Sequence, residues 1–455
     1  MPYSLAALLR TCIAAVFVAL LSNAAQAVPS YASQTGQSCV ACHAGGQFPE
    51  LTPYGRLFKL TGYTMGERNN PLAAMVVANN TVTANNADTG SGKPSALDGQ
   101  SIVDFASVFV AGKVTDNIGG FAQYTNAIHD YQDSNGNWQN HTFADNFDLR
   151  YADRSVDTQH DLIWGVTLNN AVTMQDPWNS SPVWGYPYSS TSTGAYGSLP
   201  AATQIEGLSQ VAGLGAYAYL DKHVYAELSI YRAADGPFSF LSYGSQDGDV
   251  NGHTLTYFDG PAVYGRLAYT NEIGAHNFML GVMALDAKIF PTVNNFVQRD
   301  GDSTHYQDLG LDAQYQYLLS PHTFTAHLRA VSEQISDPGQ FTYSDGNATL
   351  NTLMLKGSYV YRDKYGASLA YKSVTGSPDS TAYASNGATW TANPQNVPDS
   401  TVWIPEIFYM PMQNVRLGLQ FNYFTKYLGA TSNFDGAGRN PGDNNTTYLY
   451  LWAAI

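Results

Sequence analysis

The sequence predicts a mainly β protein: a transmembrane outer-membrane β-barrel of about 16 strands, preceded by a small α-helical segment. Only 13% of its 455 residues are charged, about half the share typical of soluble domains, and 32 are Tyr. Many segments alternate apolar and polar side chains, as strands between lipid and a polar lumen require. After the N-terminus, no apolar run reaches the roughly 20 residues that a membrane-spanning helix needs.

Composition also excludes several classes of protein. The formal net charge of −15 opposes binding to nucleic acid, because both carry negative charge. An aromatic content of 13% is too high for a disordered chain. A large soluble β-sandwich or propeller is the competing fold. A propeller would show a four-strand repeat, and the sequence has no such self-similarity.

Residues 1–27 have the pattern of a secretory signal peptide. Arg10 precedes an apolar run at 12–21, and Ala25-Gln26-Ala27 supplies a small-x-small cleavage site. Cleavage after Ala27 would remove Cys12 and leave two cysteines in the mature chain. The sequence therefore predicts an exported protein whose remaining thiols lie in one motif.

That motif is Cys39-Val40-Ala41-Cys42-His43, the C-x-x-C-H pattern of a covalent c-type haem. Its spacing lets Cys39 and Cys42 each form a thioether to one haem vinyl group, while His43 reaches the iron as the proximal axial ligand. A thioredoxin-like site would need a βαβ context, and a zinc site would need further Cys or His ligands nearby. The prediction is one covalently bound haem c.

The second axial ligand of the iron is less sharply defined by the sequence. Met65 follows His43 in a glycine-flanked turn, and a thioether is a usual ligand of electron-transfer haems. Met65 is the predicted distal ligand. Met75, His129 and His141 are the competing candidates, although the two histidines have the sequence context of loop residues.

The chain divides into a signal peptide at 1–27, a cytochrome c-like segment at 28–70 and a porin-like barrel at 71–455. The haem segment is near the lower size limit for a self-sufficient core, so the barrel is expected to complete its pocket. Sixteen alternating segments predict the strands of the barrel. They are 72–84, 101–111, 116–128, 144–154, 160–170, 209–220, 222–232, 257–270, 274–287, 305–319, 322–334, 349–361, 365–374, 401–410, 415–427 and 445–455.

The predicted connections alternate in length along the barrel. Short turns follow the even-numbered strands, and long loops follow the odd-numbered ones, including one at 129–143. Both chain ends then lie on the short-turn side, which faces the periplasm in outer-membrane barrels. The haem segment is therefore expected to enter from the periplasm.

The motif and its flanking text resemble the outer-membrane cytochrome–porin fusions of iron-oxidising bacteria. The similar block runs from Cys39 through Phe48-Pro49-Glu50-Leu51-Thr52-Pro53-Tyr54-Gly55-Arg56 to Phe58-Lys59-Leu60-Thr61-Gly62-Tyr63. Over the barrel the resemblance is architectural. It implies one haem in or at the mouth of the barrel and electron entry from an extracellular donor, with Fe(II) the best-known one.

From these features we expect an electron conduit that connects an extracellular donor such as Fe(II) to a soluble periplasmic cytochrome or another carrier. The expected activity is either Fe(II):cytochrome c oxidoreduction or simple electron transfer. The barrel is expected to be surrounded by lipid of the outer membrane. Arg150, Arg329 and Arg416 fall on predicted lumen faces, and contact with the haem propionates is a hypothesis for each. The alternatives are a transport porin with a haem-containing plug or redox-sensitive gate, and a tethered haem peroxidase.

Overall fold

The structure is a computed structural model of the chain. It describes residues 29–46, 49–88, 93–133, 135–180, 199–243, 255–293, 295–383 and 392–455. The predicted signal peptide lies outside the described residues, as does Phe48.

Sixteen antiparallel strands close into one barrel, in which the first strand pairs with the last. The predicted barrel and its strand number are confirmed. The strands are β1 Leu72–Thr83, β2 Ser101–Lys113, β3 Ile118–Gln132, β4 Trp138–Val156, β5 Asp161–Ala171, β6 Ser209–Leu220, β7 Val224–Ala233, β8 Ala262–Ile273, β9 His276–Ile289, β10 Thr304–Leu319, β11 His322–Ser336, β12 Asn347–Tyr361, β13 Tyr365–Gly376, β14 Ser400–Met412, β15 Val415–Lys426 and β16 Thr446–Ala454.

Side chains alternate between the two faces of the wall, as the sequence predicts. On β10, Leu309 and Leu311 point outward and are 60% and 54% exposed, whereas Asp308 and Asp312 point inward and are buried. The register places Asp312 opposite Arg329 on β11. A closed sheet with an apolar exterior and a polar interior satisfies its backbone hydrogen bonds within lipid. The protein is therefore an outer-membrane β-barrel in contact with lipid.

The helices are short and precede the barrel or lie in its connections. Before β1 come α1 Pro29–Thr35, α2 Cys39–Cys42, a 3₁₀ turn at Ala44–Gly46 and α3 Pro53–Leu60. The connection between β5 and β6 contains α4 Gln204–Gly207. None of the helices in the described ranges is long and apolar enough to cross a membrane.

The strand limits depart from the predicted ones chiefly at the hairpin of β3 and β4. Both strands continue past their predicted ends, so the expected long loop at 129–143 shrinks to residues 133–137. His129 and His141 lie in paired strands, and their interpretation as loop residues was wrong. The polar composition of this stretch suggested a loop, but strands that extend beyond the lipid can be polar on both faces.

Two segments of the described chain occupy part of the lumen. The plug, residues 29–70 apart from 47 and 48, contacts the inner wall near the short turns, on strands from β2 to β12. The inward loop comprises residues 172–180 and 199–208 of the connection between β5 and β6, and it reaches β10 and β11. A small two-stranded ribbon, Thr292–Val293 with Phe296–Val297, lies outside the barrel sheet.

Candidate functional site

The cysteine motif forms a single helical turn on the plug. Helix α2 consists of Cys39 to Cys42, and His43 follows as its C-cap, with its backbone N–H donating to the Cys39 carbonyl at 2.8 Å. Cys39 and Cys42 are not joined by a disulfide; Cys39 is buried and Cys42 is partly exposed. Residues three apart on a helical turn share a face. The turn therefore presents two thiols on one side, with an imidazole beside them.

The chain reverses direction directly after the motif. Gly45 and Gly46 adopt positive φ values of 74° and 87°, which a side chain would disfavour. A Cβ on Gly45 would lie 2.7 Å from Val360 Cγ2 at the end of β12. After this reversal His43 pairs with Leu51 in an antiparallel bridge. The glycines thus let the motif fold back on itself against the barrel wall.

Helix α3 packs directly on the cysteine turn. Thr52 caps α3 by accepting from the Gly55 N–H at 3.1 Å, and its hydroxyl donates to the Ala41 carbonyl. The Thr52 N–H donates to the Cys42 carbonyl at 2.9 Å. A Cβ on Gly55 would lie only 2.2 Å from the Cys42 carbonyl oxygen. The close contact of α2 and α3 therefore depends on glycine at this position.

Two cations of α3 anchor the plug to the lumen. Arg56 Nη2 lies 2.8 Å from Glu272 Oε1 on β8, and its Nη1 donates to Gln316 Oε1 on β10 at 3.2 Å. Lys59 Nζ donates to the Asp176 carbonyl at 2.7 Å and to Asn179 Oδ1 at 2.8 Å, both on the inward loop. Because Arg56 is buried, loss of Glu272 would leave an uncompensated charge.

An ion pair also fixes the segment that follows the motif. Glu50 Oε1 lies 2.9 Å from Lys356 Nζ on β12 and 3.4 Å from His327 Nε2 on β11. Burial opposes ionisation of Glu50, but Lys356 and His327 outweigh it, and the pKa of Glu50 falls below its usual range. Glu50 therefore stays ionised and ties residues beside the motif to two strands.

Met65 and the cysteine turn of the plug lie beside different parts of the barrel wall. The backbone carbonyl of Met65 accepts from Gln34 Nε2 at 2.8 Å, and the Oε1 of Gln34 accepts from the Lys113 N–H at the end of β2. By contrast, the Cys39 N–H donates to Gln413 Oε1 in the turn between β14 and β15. The described contacts place Met65 beside β2 and Cys39 beside that turn. Met65 as an axial ligand stays a prediction.

Burial sets the protonation of the motif. It lowers the pKa of His43 to about 4, against the opposing influence of Glu50, so the imidazole is neutral at pH 7. The Nδ1 atom of His43 is buried and has no hydrogen-bond partner among the described residues. Burial, followed by the influence of Cys39, raises the pKa of Cys42 to about 11, so this thiol is not a reactive thiolate.

This donor set fits a covalent haem. Two thiols outside any disulfide, and a neutral imidazole with a ring nitrogen that has no hydrogen-bond partner among the described residues, are the groups that such a cofactor needs. Within the described residues, no group of three or more His, Cys, Asp or Glu side chains is arranged to hold a metal ion. Cys39, Cys42 and His43 would hold the haem, and Met65 is the proposed sixth ligand.

The three lumen arginines named from the sequence each have a carboxylate partner. Arg150 Nε lies 2.8 Å from Asp148 Oδ2, Arg329 Nη2 lies 3.0 Å from Glu206 Oε1, and Arg416 Nη2 lies 2.8 Å from Glu406 Oε1. Of the three, Arg416 lines a small cavity beside Ala44 and Gly45, next to the motif. The hypothesis of propionate contacts is therefore best kept for Arg416.

A larger cavity of about 460 Å³ remains in the lumen. Its wall is formed by inward side chains of β1 to β4 and β16, and the inward loop closes its other side. The residues that anchor the plug and shape this cavity were not identified from the sequence. Glu50 and Lys356 are 306 positions apart, and no local pattern marks such a pair.

Comparisons with known proteins concern the barrel. No family model matches the chain, and no curated protein matches significantly. The outer membrane channel DcaP of Acinetobacter baumannii is 12% identical, with a TM-score of 0.47, over 84% of this chain and 96% of that chain. An anion-selective porin from Comamonas acidovorans is 12% identical, with a TM-score of 0.44, over 84% and 98%. At such identities the likeness concerns the fold alone.

Proposed function

We propose that this protein is an electron conduit of the outer membrane, in which a monohaem c-type cytochrome segment plugs a porin-like barrel. Electrons would pass from an extracellular donor, with Fe(II) the first candidate, to a periplasmic cytochrome or another carrier. The observation that carries the proposal is the position of Cys39, Cys42 and His43 on a plug anchored inside the lumen.

Each residue of the motif has one task in this proposal. Cys39 and Cys42 hold the cofactor covalently, and His43 offers a neutral imidazole to the iron. A haem c supplies a one-electron redox centre. Glu50, Arg56 and Lys59 keep the motif in place through their contacts with the wall and the inward loop.

The barrel allows the redox centre to lie within the thickness of the membrane. The hydrocarbon core of a bilayer is about 30 Å thick, which is a long insulating gap for an electron. A redox centre on a plug within the lumen shortens that gap. The short turns of outer-membrane barrels generally face the periplasm, so the plug would enter from that side. An insoluble oxidised product such as ferric iron would then stay outside the cell.

Cofactor attachment is the first test. The full chain should be produced together with a c-type haem maturation system, beside a Cys39→Ser, Cys42→Ser variant. We expect the wild-type protein to keep haem absorbance through denaturing electrophoresis and the variant to lose it. The variant should still form a barrel with heat-dependent electrophoretic migration. A wild-type protein without covalent haem, or a variant that retains it, would contradict the proposal.

Electron entry is the second test. The purified protein is mixed anaerobically with Fe(II) over a range of pH while the haem absorption bands are followed. Fast reduction would support Fe(II) as donor. A haem that dithionite reduces but Fe(II) does not would remove Fe(II) from the proposal and require another donor. Vesicles with trapped soluble cytochrome c would then show whether electrons cross the wall.

A transport porin with a haem-containing plug or redox-sensitive gate is the second candidate. It is favoured by the porin-like barrel and by the 460 Å³ cavity in the lumen. This function predicts ionic conductance in planar bilayers that changes when the haem is oxidised or reduced. The conduit predicts low conductance in both redox states, because the plug and the inward loop obstruct the lumen.

A further inference from the structure

We infer that the lumen cavity is a binding site for small aromatic amines, in which a carboxylate receives the ammonium group and aromatic side chains receive the ring. The inference concerns the barrel wall and does not depend on the haem. Its cavity of about 460 Å³ is within the range of small-molecule sites in proteins. Four features of the lining carry the inference.

The first feature is an acidic group without a cationic partner. Asp145 on β4 lines the cavity, and its Oδ2 accepts from Gln123 Nε2 at 2.9 Å and from Thr125 Oγ1 at 2.8 Å. Among the described residues, its Oδ1 has only a long 3.4 Å contact, with Asn146 Nδ2. Neutral donors thus hold the carboxylate in place while one oxygen keeps accepting capacity.

The second feature is an unsatisfied acceptor nearby. Gln210 on β6 is 7% exposed and lines the same cavity, and its Oε1 has no hydrogen-bond partner among the described residues. Its Nε2 donates to the carbonyl of Ala144, the residue directly before Asp145, at 2.8 Å. Gln210 also has a positive φ of 60°, which is costly for a residue with a side chain. Two acceptors therefore share one part of the cavity wall.

The third feature is the aromatic wall. Phe105, Phe143, Tyr243 and Tyr448 line the cavity, and the rings of Phe143 and Tyr243 lie 5.0 Å apart. Aromatic faces attract cations as well as other rings, and a desolvated site strengthens this attraction. The apolar part of a ligand would find the surface that it needs here.

The fourth feature is the sign of the charge. None of the described residues that line the cavity is Lys, Arg or His. Two acidic residues, Asp145 and Glu206, do line it. Glu206 is neutralised by Arg329, but Asp145 forms no ion pair within the described part of the chain. A partly buried carboxylate without a counter-charge among the described residues is stabilised by a cation. The lining therefore selects an ammonium group and disfavours a carboxylate.

The test compares three ligands with one ring system: tryptamine is a cation, indole is neutral and indole-3-acetate is an anion. Calorimetric titration of the haem-loaded full chain in detergent should show binding of tryptamine, weaker binding of indole and none of indole-3-acetate. Asp145→Asn should weaken tryptamine at least about tenfold and leave indole unchanged. Asp116→Asn is the matched control, because Asp116 is an exposed turn residue away from the cavity.

Two results would overturn the inference. One is equal binding of the three ligands, and the other is tryptamine binding that Asp145→Asn does not change. If Asp145→Asn fails to form a barrel, Val77→Phe provides a second test, because Val77 lines the cavity on β1. This variant should weaken tryptamine and indole alike, and full retention of both would show that they bind elsewhere.

Discussion

Lys59 shows how a single residue of the plug responds to its surroundings. Burial, followed by repulsion from Arg150, lowers its pKa from 10.5 to about 7, although Asp148, Asp176 and Glu227 oppose the shift. The unfolded chain therefore binds more protons than the folded chain between these two values. By linkage, the stability of the folded state rises with pH across this interval and falls as the pH drops towards 7.

Lys59→Met should remove this part of the pH dependence. Between about pH 7 and pH 10, the melting temperature of the wild-type protein should rise relative to that of the variant. Thermal unfolding at matched ionic strength measures the difference. Lys364→Met, at an exposed lysine in the turn between β12 and β13, is the control and should parallel the wild type. If the melting temperature of Lys59→Met changes with pH in parallel with that of the wild type, Lys59 is not the source of this pH dependence.

At the scale of residues, the sequence predicts the chemical role of a side chain better than its spatial partners. Cys39, Cys42 and His43 stand out because their spacing is itself the signal, and attachment of haem to them stays a prediction. The ion pairs of Glu50 and Arg56 could not be predicted, because their partners are distant in the chain.

At the scale of elements, the contact between α2 and α3 places the strictest requirements on its residues. Gly55 lets the Cys42 carbonyl approach the axis of α3, and Thr52 bonds to residues on both sides of the contact. The position of the cysteine turn therefore depends on a helix that carries none of the predicted haem ligands.

Gly55→Ala should displace α2, because the added Cβ would lie 2.2 Å from the Cys42 carbonyl oxygen. We expect a loss of stability of about 1–3 kcal/mol, typical of overpacking, and a several-fold lower yield of covalent haem. Gly357→Ala is the control, since a Cβ there meets no atom within 4 Å. Equal haem yield in the two variants would show that α2 tolerates the displacement.

The strands were predictable because period-two alternation is imposed by lipid on one side and a polar lumen on the other. The ends of the strands were less predictable than the strands themselves, and β3 and β4 show why. Beyond the lipid this constraint ends, while cross-strand hydrogen bonds continue between residues such as Tyr131 and Gln139. The inward course of the loop after β5 depends on distant partners such as Asp308 and Glu333, which no local pattern marks.

At the scale of the whole molecule, lipid contact predicts a dependence on depth. Leu311 lies in the middle of β10 and Leu319 at its short-turn end; both are exposed on the outer face, at 54% and 56%. Leu311→Arg should cost about 2–4 kcal/mol and Leu319→Arg about 0–1 kcal/mol. Unfolding in lipid vesicles measures both values. Equal costs would argue against a membrane midplane near Leu311.

The pairing of β1 with β16 has a consequence for biogenesis. The plug precedes β1 in the chain, but its anchors extend from Lys113 on β2 to Gln413 near the end of β14. The wall that receives the plug is therefore complete only after the last strand has joined the first. An enzyme that attaches the proposed haem to Cys39 and Cys42 would have to act before that moment, because Cys39 is buried in the closed barrel. If the proposed haem attachment is correct, maturation would follow a fixed sequence: modification, membrane insertion, then closure around the finished plug.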